Sequence, residues 1–310
     1  MAIVLGPNRY GKAENRVVRI YRDTDRHEIR DVNVSTSLRG DFADAHLRGD
    51  QANVLPTDTQ KNTCFAFAKS HGIRDVETYA LDLARHFVDD VPTVTGARVD
   101  VEEYFWDRAT AGGTEHAHTW VRRGQEVRTA TVTVEGKAGD DQRAWVLSGL
   151  ADLVLLKSTG SEFAGFLTDE YTTLEPTHDR VMATSLVARW RHAGTVPGKQ
   201  EVPPVDWDAS YGAVRRLLVE RFAAVHSLAL QQTLWEMGKA VLEAQPAVAE
   251  VRLSAPNRHH HLVDLAPFGL ENPGEVFVAA DRPYGLIEAT VERDDVPPAP
   301  QAWQDLPGFV

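Results

Sequence analysis

Four stretches of the 310-residue chain are poor in apolar periodicity yet dense in polar groups that a fold does not require. In Pro56-Thr57-Asp58-Thr59-Gln60-Lys61-Asn62-Thr63, Thr57 with Gln60 three residues on has the form of a capping box opening a helix. Its exposed N–H groups and positive dipole end would also seat an anion, and a bare cap is the alternative. Tyr10-Gly11-Lys12 puts a lysine where a turn feeds the first strand, and alone it reads as a solvated surface charge. The run from Lys157 to Leu174 is too polar for core and too long for a simple turn, and Thr177-His178-Asp179-Arg180 follows it. The guanidinium fork of Arg180 suits a planar anion with adjacent oxygen and nitrogen acceptors, and a structural ion pair is the competing use. Pro256-Asn257-Arg258-His259-His260-His261 gathers imidazoles. In an extended segment His259 and His261 share one side while His260 faces the other, and neither an HExxH helix, a cysteine pair nor a convincing carboxylate completes a coordination sphere, so a metal site is disfavoured against a structural His cluster or a catalytic one.

The elements that must position these groups follow from periodicity. Alternation over Arg16 to Tyr21 and Asp31 to Ser35 predicts paired opening strands. Val76, Tyr79, Ala80, Leu83 and Phe87 recur at three and four residues, predicting a helix that Pro92 helps to close. His118 to Val121 and Val127 to Val134 read as strands separated by a turn at Gly124-Gln125. Further strands are expected at Trp145 to Leu156, Val181 to Trp190, Val248 to Leu253, Glu275 to Ala279 and Leu286 to Val291. Two helices carry core stripes at Val214, Leu217, Leu218, Phe222 and at Leu230, Leu234, Met237, Val241, the second stopping before Pro246. The second half repeats the order of the first. The expectation is an α+β protein of two similar domains, residues 1–138 and 139–310, joined near Gly136 to Asp141, with Pro-rich surface connections at Val202 to Val205 and Val296 to Pro300.

Composition narrows the partners. Lys plus Arg number 33 against 45 Asp plus Glu, a net charge of -12 that argues against nucleic acid and anionic membrane, so a small anion would need a local positive site. Cys64 is the single cysteine, which excludes an intrachain disulfide and reads as a small buried apolar residue. No stretch has the length and apolarity of a membrane span, Met1 to Lys12 lacks the apolar core of a secretory signal, and Gly308-Phe309-Val310 is not a peroxisomal address, so a soluble cytoplasmic protein is expected.

Taken in order along nearly the whole chain, these segments resemble the urate oxidases. Lys157-Ser158-Thr159 with Ser161, Phe163, Gly165-Phe166-Leu167 and Asp169-Glu170-Tyr171-Thr172-Thr173-Leu174 carries the strongest likeness. Tyr10-Gly11-Lys12, Thr57-Asp58 with Lys61-Asn62-Thr63, Asp179-Arg180, Gln231 before Thr233, and Pro256-Asn257 with His259 agree independently. The resemblance implies two tandem tunnelling-fold domains, antiparallel sheets with helices on one face, in a homotetramer whose active sites lie at subunit interfaces. It implies urate and O2 as substrates, no cofactor and no metal, with 5-hydroxyisourate and hydrogen peroxide as products.

Position by position, the resemblance makes Phe163 the stacking partner of the purine, with Arg180 and Gln231 gripping its polar edges. It assigns urate contact also to Thr57 and Asp58 at their helix start, and apolar walls to Leu174, Leu230 and Ile287. Lys12 and Thr57 become a proton-handling dyad with His259 completing the relay, and Asn257 with Thr57 holds oxygen and then water above the ring. Ala164, Leu230 and His260 depart from the commoner pattern, none of them at a proton-transfer position. Two rivals are a metal-dependent tunnelling-fold enzyme of the pterin or purine group, such as a cyclohydrolase, and a purine-binding protein without turnover.

Overall fold

A computed structural model describes residues 1–139, 142–194, 196–197 and 205–304. The C-terminal Gly308-Phe309-Val310, most of the Pro-rich tract at Val202 to Val205, and Asp140-Asp141 in the expected domain junction lie outside the described residues. The strands are β1 (Tyr10–Tyr21), β2 (Glu28–Gly40), β3 (Val94–Ala111), β4 (Thr114–Glu135), β5 (Arg143–Lys157), β6 (Met182–His192), the short β7 (Val196–Pro197), β8 (Val248–Leu262) and β9 (Phe277–Glu292). The helices are α1 (Ala43–Arg48), α2 (Thr57–Ser70), α3 (Val76–Asp90), α4 (Trp207–Ala224) and α5 (Leu230–Ala244). The class is α+β, as the sequence predicts, and strands with packed helices in each part are consistent with the tunnelling fold. No helix among the described residues is long and apolar enough to cross a membrane.

The chain divides into two units, one made of Met1–Gly149, Arg191–Ser210 and Asp294–Val310, the other of Leu150–Trp190 and Tyr211–Arg293. In the first, β1 to β4 are successive antiparallel neighbours. α3 lies on β3 and β4, and α2 on β1. The stripe Val76, Tyr79, Ala80, Leu83, Phe87 is buried, as its spacing requires, against Val99, Val101, Val132 and Val134. Asp75 caps α3 by accepting from the Thr78 N–H at 2.7 Å. Cys64 is buried in this core, and burial pushes its thiol up to about 11, which removes it from nucleophilic chemistry.

Three sequence expectations change. The turn at Gly124-Gln125 is absent: β4 runs unbroken and the hairpin reverses at Gly112-Gly113. A register shift opposite Tyr104 and Trp106 takes up the extra residues, with Gly124 at positive φ, so the glycine marks a bulge. The Thr57–Gln60 capping box is also absent. Pro56 is the N-cap, no side chain caps the helix, and Gln60 is buried, accepting from Thr36 Oγ1 at 2.8 Å. Glu275 to Ala279 and Leu286 to Val291 merge into the single strand β9, which pairs antiparallel with β8.

In the second unit, Leu234, Met237 and Val241 of α5 are buried and the helix packs on β8 and β9. Gly238 is required there, because a Cβ would stand 2.5 Å from Val291 Cγ2. α4 buries Val214, Leu218 and Phe222.

Buried polar groups of the first unit are tied together. Ser148 Oγ donates to Glu77 Oε1 at 2.6 Å, so at 3.0 Å its oxygen accepts from His192 Nε2–H, and the other ring nitrogen, Nδ1, is left without a partner among the described residues. Burial pushes His192 down to about 4. The unfolded chain protonates this residue below about 6.5, whereas the folded chain does so only near 4. Stability carried by neutral His192 is therefore complete above about 6.5 and falls with pH across that window, by about 3 kcal/mol in all. Denaturant midpoints between pH 7 and 4 should show this slope flattened in His192→Gln, and an unchanged slope would remove His192 from the acid response.

Candidate active site

The second unit shapes a cavity of about 850 Å³, within the roughly 300–1,000 Å³ of small-molecule sites. Three backbone ties bring its walls together. Ser161 and Ser227 form a parallel bridge, Phe163 and Thr177 an antiparallel one, and the Arg180 N–H donates to Ser161 O at 2.9 Å. The polar run after β5 is thus laced on one side to Ser227 in the segment before α5 and on the other to the segment before β6. This is why a stretch without helix or strand periodicity holds a defined shape.

Phe163, Leu174, Arg180, Leu230, Gln231, Asn257, His259 and Ile287 all line this cavity. Leu230 and Gln231 are the first two residues of α5, the former buried and the latter exposed. Asn257 pairs with Gly285, and Ile287 with Ala255, across the β8–β9 ladder. A register shift between Asn257 and His259 turns the strand there, and His260 joins the wall beside His259 and His261, against the strict alternation expected of a flat strand.

The electrostatics favour an anion. Arg180 has Ser161 Oγ at 3.3 Å from its Nε, and among the described residues no carboxylate pairs with it. Its neighbour Asp179 is committed elsewhere, accepting from Thr159 Oγ1 at 2.9 Å and the Gly160 N–H at 3.0 Å. Burial lowers the guanidinium from its ordinary value, the sign of a charge short of solvent. Burial, then the charges of His261 and Arg180, hold His259 below the usual imidazole range. Among the described residues no three His, Cys, Asp or Glu side chains converge as metal ligands.

Two aromatic contacts define Phe163. Phe166 stacks on it with ring centroids 4.9 Å apart and planes at 14°, and the Arg180 guanidinium carbon lies 5.3 Å from the Phe163 centroid. A ligand stacking on Phe163 must use the face that Phe166 leaves open. Sequence reasoning did not single out Phe166 or Ser161 for a role, although both lie within the run that carries the likeness.

Lys12, Thr57 and Asp58 are absent from the cavity wall and belong to the first unit. Gly11 is required beside Lys12, since a Cβ would meet Thr36 O at 1.7 Å. A register shift between Lys12 and Asn15, with Glu14 at positive φ, then bends β1. Thr57 and Asp58 open α2, whose first N–H groups lack intrahelical acceptors. The Asp58 carboxylate takes hydrogen bonds from Lys61 and Asn62, and Lys61 foremost, with a smaller part from Lys12, holds it below its ordinary value.

The family model described as uricase matches residues 8–133 and 146–288. A uricase of Arthrobacter globiformis is 50% identical over 307 residues, covering 99% of this chain and 96% of that protein. One of Dictyostelium discoideum is 35% identical over 289 residues, covering 92% and 96%. The crystal structure of the Arthrobacter globiformis uricase superposes with a TM-score of 0.89 at 49% identity, over 98% of this chain and 99% of that one. On a family match spanning both units and on identity along the whole length, the chain belongs to the uricase family and is an enzyme of urate oxidation.

Proposed function

We propose that the cavity binds urate and that the enzyme converts urate, O2 and water to 5-hydroxyisourate and hydrogen peroxide without cofactor or metal. The observation that carries the reading is Arg180, a half-buried guanidinium with no carboxylate paired to it among the described residues, placed over Phe163 in a cavity that also holds Gln231, Asn257 and His259. The open face of Phe163 stacks on the flat ring. Arg180 meets an anionic edge bidentately, and the Gln231 carboxamide offers a donor and an acceptor to an imide-like edge. Leu174, Leu230 and Ile287 exclude water around them.

Urate, once deprotonated, is electron-rich enough to reduce oxygen, so the protein's tasks are proton transfer and placement. Lys12 and Thr57 act as the dyad that handles urate's proton and His259 completes the relay, while Asn257 and Thr57 hold oxygen and then the attacking water. On this reading the subunits form a homotetramer in which Lys12, Thr57 and Asp58 of a neighbouring subunit complete each cavity, with Thr57 and Asp58 at the open N-terminus of α2 contributing to anion binding.

The test follows urate's ultraviolet absorbance and dissolved oxygen together in chelator-treated protein, with hydrogen peroxide assayed. Loss of both with peroxide formed is the expected result. A requirement for stoichiometric zinc would overturn the cofactor-free reading, and urate binding without oxygen uptake would overturn the reaction. Arg180→Ala is expected to weaken urate affinity by roughly 30- to 1,000-fold, the scale of removing a hydrogen-bonded charge partner. Equilibrium binding under nitrogen checks this, and an unchanged affinity would contradict the clamp.

A further inference from the structure

We propose that His261 is a positioning residue of this site, its ring stacked on His259 so as to fix the plane and the charge state of the relay imidazole. His259 and His261 lie two residues apart on β8, on one side of the strand, with ring centroids 5.8 Å apart and planes at 26°. The ladder holds both backbones, His259 opposite Ala280 and His261 opposite Val278. Both rings line the cavity, so the stack faces the ligand.

A relay imidazole must be neutral to accept a proton, and burial first, then the charges of His261 and Arg180, keep His259 so. Arg180 supplies a fixed positive charge, and a proton taken by either stacked ring disfavours a proton on the other. The remaining titratable groups of the wall are His260 on β8 and Glu175 and Asp179 in the segment between Phe163 and β6, Asp179 being bound to Thr159 and Gly160. α5 and β9 face the cavity with Leu230, Gln231, Phe277 and Ile287, none of which titrates. Among the described residues, the charges that act on His259 are those of His261 and Arg180.

The inference rests on reading the cavity as the urate site, and two variants separate its failure from the failure of that reading. His261→Phe keeps a ring to stack and removes the second proton site, whereas His261→Ala removes both. In both variants the acid limb of the kcat–pH profile is expected to move up by roughly 0.5 pH unit, the Coulomb term of one charge near 6 Å at water-like screening. His261→Ala should also lower kcat with the urate KM held, and His261→Phe should restore kcat without restoring the acid limb. A His261→Phe profile superimposable on the parent's would overturn the proposal while leaving the urate reading intact. A parent protein that consumes no urate would overturn the reading itself.

Discussion

Lys12→Met is expected to cut urate turnover by about 10²- to 10⁴-fold, the usual weight of a positioned acid–base group, while urate binding stays measurable. Methionine keeps an unbranched stem of similar length and removes only the ammonium, so packing along β1 is preserved. The backbone that places residue 12 does not depend on its side chain: it is set by the close approach of Gly11 to Thr36 O, by the Lys12 N–H donating to Thr36 Oγ1 at 3.3 Å, and by the register shift that follows. A lowered kcat with little change in binding separates proton handling from grip, because grip would raise the dissociation constant in proportion. Steady-state urate and oxygen consumption, set beside anaerobic binding, decides it. A variant as fast as the parent would strip Lys12 of its place in the relay.

The parts of the molecule that sequence made legible are those in which one residue type has one physical use. The α3 stripe and the Leu234-Met237-Val241 stripe of α5 are buried where helical spacing puts them. Eight of the eleven candidate site residues share one cavity because the polar run after β5 is bound by main-chain bridges that no periodicity reports. Gly124 misled because glycine serves turns and bulges alike, and only the pairing of Tyr104 with Val127 and of Trp106 with Arg122 distinguishes them. Thr57 misled because a hydroxyl three residues before Gln60 resembles a cap, whereas Pro56 already occupies that place and Thr36 claims Gln60. The likeness carried by the polar run points to the family, whereas the stacking of Phe166 on Phe163 and of His261 on His259 is a property of the folded chain that no spacing reports.

Arg128→Met is expected to destabilise the fold by about 3–5 kcal/mol, the cost of leaving buried charge without its partner. Arg128 is almost wholly buried on β4, donating to Glu77 Oε2 at 2.7 Å and to Asp208 Oδ1 at 2.5 Å, with Glu103 Oε2 at 3.7 Å. Glu77 and Glu103 are buried as fully as the arginine, and burial raises Glu77 above its ordinary value even with Arg128 present. Removing the guanidinium leaves the buried Glu77 carboxylate with Ser148 as its side-chain donor among the described residues, while Glu103 keeps Arg30 at 2.5 Å. The loss is a large part of the roughly 5–15 kcal/mol typical of a folded domain. Denaturant unfolding of the parent, Arg128→Met and the double variant with Glu77→Gln checks the mechanism, since a neutral amide at 77 removes the orphaned charge. The double variant should recover more than 1 kcal/mol of the loss, a coupling expected of groups that share one hydrogen-bonded pair. Equal stability of Arg128→Met and the parent would show that this buried cluster is held by packing rather than by its charges.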